Sequence, residues 1–228
     1  FAYDDGDPMD KYGHGTHVAG TIAAKGNNGQ GTTGVNWNGS AQIMALKFMR
    51  DSGEGSTADA IKAIVYATNN GAQITNNSWG GGDYSQALKD AIDNSPLFIA
   101  AAGNDGRSND QQEFYPASYD LTNIISVSAS DRNDKMPEFS NYGKNSVHLS
   151  APGDSIYSTI PNGKYETKSG TSMAVPHVSG VASMILNKYP EATPQQIKLR
   201  LMNGVDPLTD FTDKTISGGR LNANNSLK

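Results

Sequence analysis

The sequence predicts an α/β protein: an open, mostly parallel, twisted sheet with helices on both faces. Short apolar runs alternate with longer amphipathic ones, the order that strands and crossover helices produce. Each short run closes on Gly, Ser, Asn or Asp, the residues expected where a strand gives way to a loop. No heptad, internal repeat or linker divides the 228 residues, and 36% hydrophobic content is enough for one buried core.

Strands are expected over Ala41 to Met49, Gln73 to Ser78, Leu97 to Ala102, Asn123 to Ala129 and Ser146 to Ser150. Helices are expected over His14 to Ala24, Thr57 to Asn69, Ser85 to Asp93, Ser172 to Lys188 and Pro194 to Met202. Two of these starts have local chemistry. Ser56 with Asp59, and Thr193 with Gln196, have capping-box spacing, and Pro194 stands at a first helical position, where its missing amide costs nothing. In Thr57 to Asn69 the residues Ala60, Ile61, Ile64, Val65 and Ala67 recur at helical spacing, so one face should lie on the sheet.

Composition removes several functions. A net charge of −5 without clustered Lys or Arg excludes a nucleic-acid surface. No apolar run reaches membrane-spanning length and no leader pattern opens the chain, so no membrane partner is expected and the chain reads as soluble and already processed. Cysteine is absent, which excludes disulfides, zinc thiolates and a thiol nucleophile. The 25 glycines sit mostly at junctions between apolar runs, as tight turns and ligand-facing backbone require.

In an open parallel sheet, ligands bind beyond the carboxyl ends of the strands. Ser78-Trp79-Gly80 and Gly103-Asn104 follow two such ends, and Ser172 opens a helix in the stretch GTSMAVPHVSG. With Pro176 four residues on, the helix should start at or near Ser172 and set its hydroxyl among unpaired backbone donors at the positive end of the helix dipole. An ordinary Ser N-cap explains that residue equally well in isolation. In HGTHVAGTIAA, Gly15, Ala19 and Gly20 allow close packing, so His14 should stand at a helix start facing the cleft. Zinc on His14 and His17 is disfavoured: the zinc helix needs histidines at i and i+4 with Glu beside the first, and here the spacing is i+3. His17, His148 and His177 read as buried structural histidines.

Taken together, His14-Gly15-Thr16-His17-Val18-Ala19-Gly20, Ala101-Ala102-Gly103-Asn104 and Gly170-Thr171-Ser172-Met173-Ala174 with Pro176-His177 resemble, in order, three signatures of the subtilisin-like serine proteases. The likeness runs from about Asp4 to Gly219-Arg220-Leu221-Asn222-Ala223. It implies a serine endopeptidase with Ser172 as nucleophile, His14 as general base and Asn104 as oxyanion donor. It implies an extended polypeptide substrate lying along Ser78, Trp79 and Gly80 on one wall, and Gly53 and Gly55 on the other. Trp79 stands where many of the family have Leu, which leaves pocket selectivity open. Gly26 to Thr32 is similar to the family's calcium loop, with the Asn28 side chain and the carbonyls of Gln30 and Thr32 as ligands. Asp4, Asp5, Asp7 and Asp10 could form a second calcium site or a solvated acidic loop. The family further implies a secreted, monomeric enzyme made as a zymogen, with a pro-segment as partner.

One departure matters. The family's triad Asp ends an apolar strand well ahead of the histidine, and is followed by Ser or Thr and then Gly. Asp4, Asp5, Asp7 and Asp10 lie in a polar stretch just before His14 and do not fit that position. Residues 1 to 228 are therefore expected to be a peptidase domain lacking the segment that carries the Asp, and to be feebly active and poorly stable alone. A competing reading is a non-catalytic relative keeping a peptide-binding groove, though a groove needs neither His14, Asn104 nor Ser172. An esterase of the α/β-hydrolase type would want Gly-x-Ser-x-Gly with His after Ser, which Gly170 to Ala174 does not supply.

Overall fold

The computed structural model describes all of residues 1 to 228. Its centre is a six-stranded sheet built from β1 (Ile74–Asn77), β2 (Leu97–Ala101), β3 (Ile124–Ser130), β4 (Leu149–Pro152), β8 (Gly219–Arg220) and β7 (Asp206–Pro207), in that spatial order. β1 through β4 and β8 pair in parallel, and β7 joins β8 antiparallel at the far edge. The helices are α1 (His14–Ala23), α2 (Thr57–Asn69), α3 (Gln86–Asp93), α4 (Thr171–Lys188), α5 (Pro194–Asn203) and α6 (Ala223–Ser226).

The two-residue period of a strand decides what each face buries. On β2, Leu97, Ile99 and Ala101 join Ile125, Val127 and Leu149 in a core covered by α4 and α5, while Phe98 and Ala100 point into a second core with Ile64 of α2 and Leu88 and Ile92 of α3. Helices thus lie on both faces. Every residue of β2 and β3 is buried, so these strands read as unbroken apolar or small-residue runs. Local signals also hold: Ser56 Oγ accepts from the Asp59 amide at 3.1 Å, and Thr193 and Gln196 form a reciprocal capping box behind Pro194.

Three expectations are corrected. Residues 41 to 49 do not form a strand; their only pairing is an isolated antiparallel bridge between Met49 and Gly55. The run has strand-like composition but no neighbour to complete a hydrogen-bond ladder, and composition alone does not make a strand. The strand expected over Ser146 to Ser150 lies at Leu149–Pro152, with His148 just ahead of it. Finally, α4 begins at Thr171, which places Pro176 in the second turn rather than the first. Apolar-run patterning also misses the hairpin β5 (Ile156–Ile160) and β6 (Lys164–Lys168). Its signal is Asn162-Gly163, whose paired positive φ values of 66° and 67° suit a tight hairpin turn.

α1 packs on α4 and on this hairpin through Val18, Ile22, Met173 and Ile156. Gly20 permits the approach, because a side-chain carbon there would come within 2.6 Å of Ser158 Oγ. His17, fully buried, has Nε2 3.0 Å from the Ile156 carbonyl and 3.1 Å from that of Glu166, so it donates to both and ties α1 to both hairpin strands.

Candidate active site

Ser172 is the second residue of α4, and the way it is held follows from Pro176. A proline at that position offers no amide to the carbonyl four residues back. The Ser172 carbonyl is therefore free of the helix ladder, and the buried Ser78 hydroxyl donates to it at 2.8 Å. Ser172 Oγ in turn donates to the Ser78 carbonyl at 3.1 Å. This reciprocal pair fixes the start of α4 against the loop that leaves β1.

The loop leaving β2 supplies Asn104. The Thr171 amide can only donate, so the atom facing it at 2.8 Å is Asn104 Oδ1, and the Thr171 hydroxyl donates to the same oxygen at 3.0 Å. Asn104 Nδ2 is left without a partner on an exposed side chain. The Ser172 amide, one of the unpaired donors at the helix start, is likewise free of any protein acceptor. The two N–H donors lie close together, since a side-chain carbon built on Gly170 would come 3.5 Å from Asn104 Nδ2 and 3.8 Å from the Ser172 amide nitrogen, a pairing that can stabilise a developing oxyanion. Met173, the next residue, is buried against α1, so the same helix start that carries the hydroxyl also rests on the helix that begins at His14.

His14 is the first residue of α1 and partly buried. Its ring makes no hydrogen bond, and the hydroxyl of Ser172 is engaged with Ser78 rather than with it. Burial holds the His14 imidazolium below the usual histidine range, an effect opposed by the negative charge of Asp10. The net direction favours the neutral ring, the form a general base needs. Asp10 has a separate task. Its carboxylate accepts from the amides of Tyr12, Gly13 and Thr16 and from the Thr16 hydroxyl, capping α1 from outside because Gly13, at φ +91°, has no side chain to do so. Burial raises the Asp10 carboxyl, but these hydrogen bonds outweigh it and leave the group below its ordinary value.

The sequence-predicted substrate walls are joined through aromatic side chains. Trp79 meets Phe48 edge-on at 5.0 Å, and a side-chain carbon on Gly55 would come within 2.7 Å of the same Phe48 ring. Gly53 sits in a turn at φ +86° beside Tyr12. Of these residues Ser78 meets Ser172 directly, Trp79 and Gly55 meet at the Phe48 ring, and Gly80 stands against Phe114.

In the loop Gly26 to Thr32, Asn28 Oδ1 accepts from the Gln30 amide at 3.0 Å, and the carbonyls of Gln30 and Thr32 accept no hydrogen bond. The aspartates ahead of α1 are not gathered. Asp5 and Asp7 accept from amides two residues on, Asp10 caps α1, and no cluster of three or more His, Cys, Asp or Glu side chains is placed to hold a metal. His148 Nδ1 accepts from the Ser126 amide at 3.0 Å, and burial pushes the ring down to about 3. His177 donates to the Met173 carbonyl at 2.9 Å within α4.

A trough of about 1160 Å³ lies between β1 and residues 41 to 48, lined by Leu46, Ala63, Ile64 and Ile74, flanked by Val18 of α1 and Ser179 of α4, and reaching His14. β1 pairs only with β2, so its other edge faces this space unpaired. No helix of the protein is long and apolar enough to cross a membrane.

Known proteins resemble this chain in sequence and in fold. The sequence profile of the subtilase family matches residues 2–221. Subtilisin DY of Bacillus licheniformis is 43% identical over 206 residues, which is 88% of this chain and 73% of the relative. Thermitase of Thermoactinomyces vulgaris is 37% identical, covering 98% of this chain and 77% of the relative. A thermophilic serine proteinase of Bacillus sp. strain AK1 is 37% identical, and this chain spans 55% of it. Among solved structures, a protease of Pseudoalteromonas arctica superposes with a TM-score of 0.82 at 32% identity, covering 94% of this chain and 70% of its own. With its parallel sheet, its helix-start serine and a family profile running almost end to end, the chain belongs to the subtilase family.

Proposed function

We propose that the protein is a subtilisin-like serine endopeptidase. Ser172 Oγ attacks the carbonyl carbon of an extended peptide and its proton passes to the His14 ring. The carbonyl oxygen, now negative, is held by the Ser172 amide and Asn104 Nδ2. Collapse of this intermediate expels the amine, which takes the proton from His14 and leaves an acyl-enzyme on Ser172. Water then repeats the sequence with His14 as base. The observation that carries this reading is the pair of unpartnered donors beside Ser172, with Asn104 held in orientation by Thr171. A fluorophosphonate probe should label Ser172 and fail to label Ser172→Ala. Peptide binding without any labelling would favour the non-catalytic groove instead. Asn104→Ala should lower kcat roughly a hundred- to a thousandfold, a magnitude borrowed from the loss of the comparable donor in subtilisin.

The trough supports a second part of the proposal. An extended segment bearing the carboxylate that orients His14 would pair with the open edge of β1 and cover the apolar wall of residues 41 to 48. Asp10 does not fill that role, since its oxygens are committed to the start of α1. Labelling should rise steeply when the chain is joined to such an N-terminal segment. Equal labelling with and without it would remove this part.

Calcium in the loop Gly26 to Thr32 is a further proposal. Asn28 Oδ1 and the carbonyls of Gln30 and Thr32 are oxygens of the kind calcium takes, and they form part of its usual six to eight. Bound calcium would stabilise the folded state by binding it alone, so excess EDTA should lower Tm. An unchanged Tm would argue against it. Secretion as a monomeric zymogen, with a pro-segment occupying the cleft, rests on the family likeness and is tested by sequencing the N-terminus of the mature extracellular protein.

A further inference from the structure

We infer that Phe114 closes the pocket that receives the side chain just before the cleaved bond, so that the enzyme selects small residues there. The inference rests on the endopeptidase reading and adds its substrate preference. With a peptide carbonyl carbon at Ser172 Oγ and its oxygen at Asn104, the side chain one bond away enters the slot between the two loops that hold these groups. One wall of the slot is Ser78 to Gly81, fixed by the Ser78 and Ser172 pair. The other is Gly103 and Asn104, fixed on Thr171. Glycines on both walls would leave a wide slot if nothing stood between them.

The Phe114 ring stands between them. A side-chain carbon built on Gly103 would lie 3.0 Å from Phe114 Cδ2, one on Gly80 would lie 3.0 Å from Cζ, and one on Gly81 would lie 3.7 Å from Cε2. One ring therefore touches both walls, two residues beyond Ser78 and one residue before Asn104. It is not a mobile flap. The Phe114 amide donates to Ser118 Oγ at 2.9 Å, the Ser118 amide returns a bond to the Phe114 carbonyl at 3.0 Å, and the Gly81 amide donates to the Tyr115 carbonyl at 2.9 Å. Its inner side packs on the core formed with α2 and α3. A Gly, Ala or Ser side chain fits above the ring, whereas Phe or Leu would have to displace a well-packed aromatic.

The test compares kcat/KM of the native protein for otherwise identical tetrapeptide anilides carrying Ala or Phe before the cleaved bond. Ala should be preferred by about tenfold or more, and Phe114→Gly should reverse the order. Phe114→Leu provides a milder variant should the glycine fail to fold, and should narrow the preference. Efficient cleavage of the Phe substrate by the native protein, unchanged in both variants, would overturn the plug while leaving proteolysis intact. Absence of cleavage and of fluorophosphonate labelling would overturn the endopeptidase reading. In that event the slot is read by binding of the corresponding tetrapeptide acids, where tighter binding of the Phe acid to the native protein overturns the plug and tighter binding of the Ala acid supports it.

Discussion

Two apolar runs in this molecule meet different fates. Leu97 to Ala101 becomes β2, paired in parallel on both sides and buried throughout, whereas residues 41 to 48 stay irregular and expose Ile43 at 47% and Met44 at 41%. Both read as strand-like runs, the second with Gln42 and Lys47 among its apolar residues. What differs is that β2 has neighbours to accept and donate along its whole length, and the second run faces the trough. A strand is a cooperative object: its side chains are buried because its backbone is paired, and without the ladder the apolar pattern has nothing to align it. The contrast extends to the cleft. Asn104, on the loop leaving β2, is oriented by two hydrogen bonds, while His14, which borders the trough, has none on its ring.

The comparison can be broken most directly by truncation. Ile99→Ala in β2 should cost about 2 to 5 kcal/mol in urea unfolding, because the fully buried site cannot collapse around the cavity. Ile43→Ala should stay within about 0.5 kcal/mol. Equal losses would mean that residues 41 to 48 are packed after all. On the His14 side, Asp10→Ala should cost about 1 to 2 kcal/mol through loss of the α1 cap. The same change carries a kinetic signature. The Asp10 charge favours the His14 imidazolium, so removing it lowers the His14 pKa further and moves the acid limb of the kcat/KM profile to lower pH. A limb that stays put or moves up would show that Asp10 does not act on His14.

A pH-dependent effect concerns His148, on the well-built side. Burial holds its folded pKa at about 3, below the ordinary histidine value of 6.5, so between these values the unfolded chain binds a proton that the folded chain does not. Stability is therefore full above about pH 6.5 and falls as the pH drops toward 3. His148→Gln should flatten the dependence of Tm on pH in that window. An unaltered slope would point to the carboxylates instead.

Much of this was legible from sequence because it is local. The caps at Ser56 and Thr193 work over three residues, and a three-residue device needs nothing from the rest of the fold. His14, Asn104 and Ser172 could be picked out as residues at strand ends and helix starts, helped by family likeness. The hairpin over 156 to 168 escaped because its exposed, polar β6 lacks an apolar run, although Asn162-Gly163 marked its turn. Phe114 has no neighbouring motif that marks it as standing between two distant loops.

The sequence by itself determined the α/β class, the positions of most helices and the identity of the residues around Ser172, since periodicity, caps and turn residues act within a few positions of the chain. Tertiary structure alone decided that residues 41 to 48 would not pair, that Ser78 would take the carbonyl freed by Pro176, and that a phenylalanine far from either wall in sequence would stand between them. Those outcomes depend on which distant backbone offers a partner or leaves a space, and no short stretch of sequence carries that information.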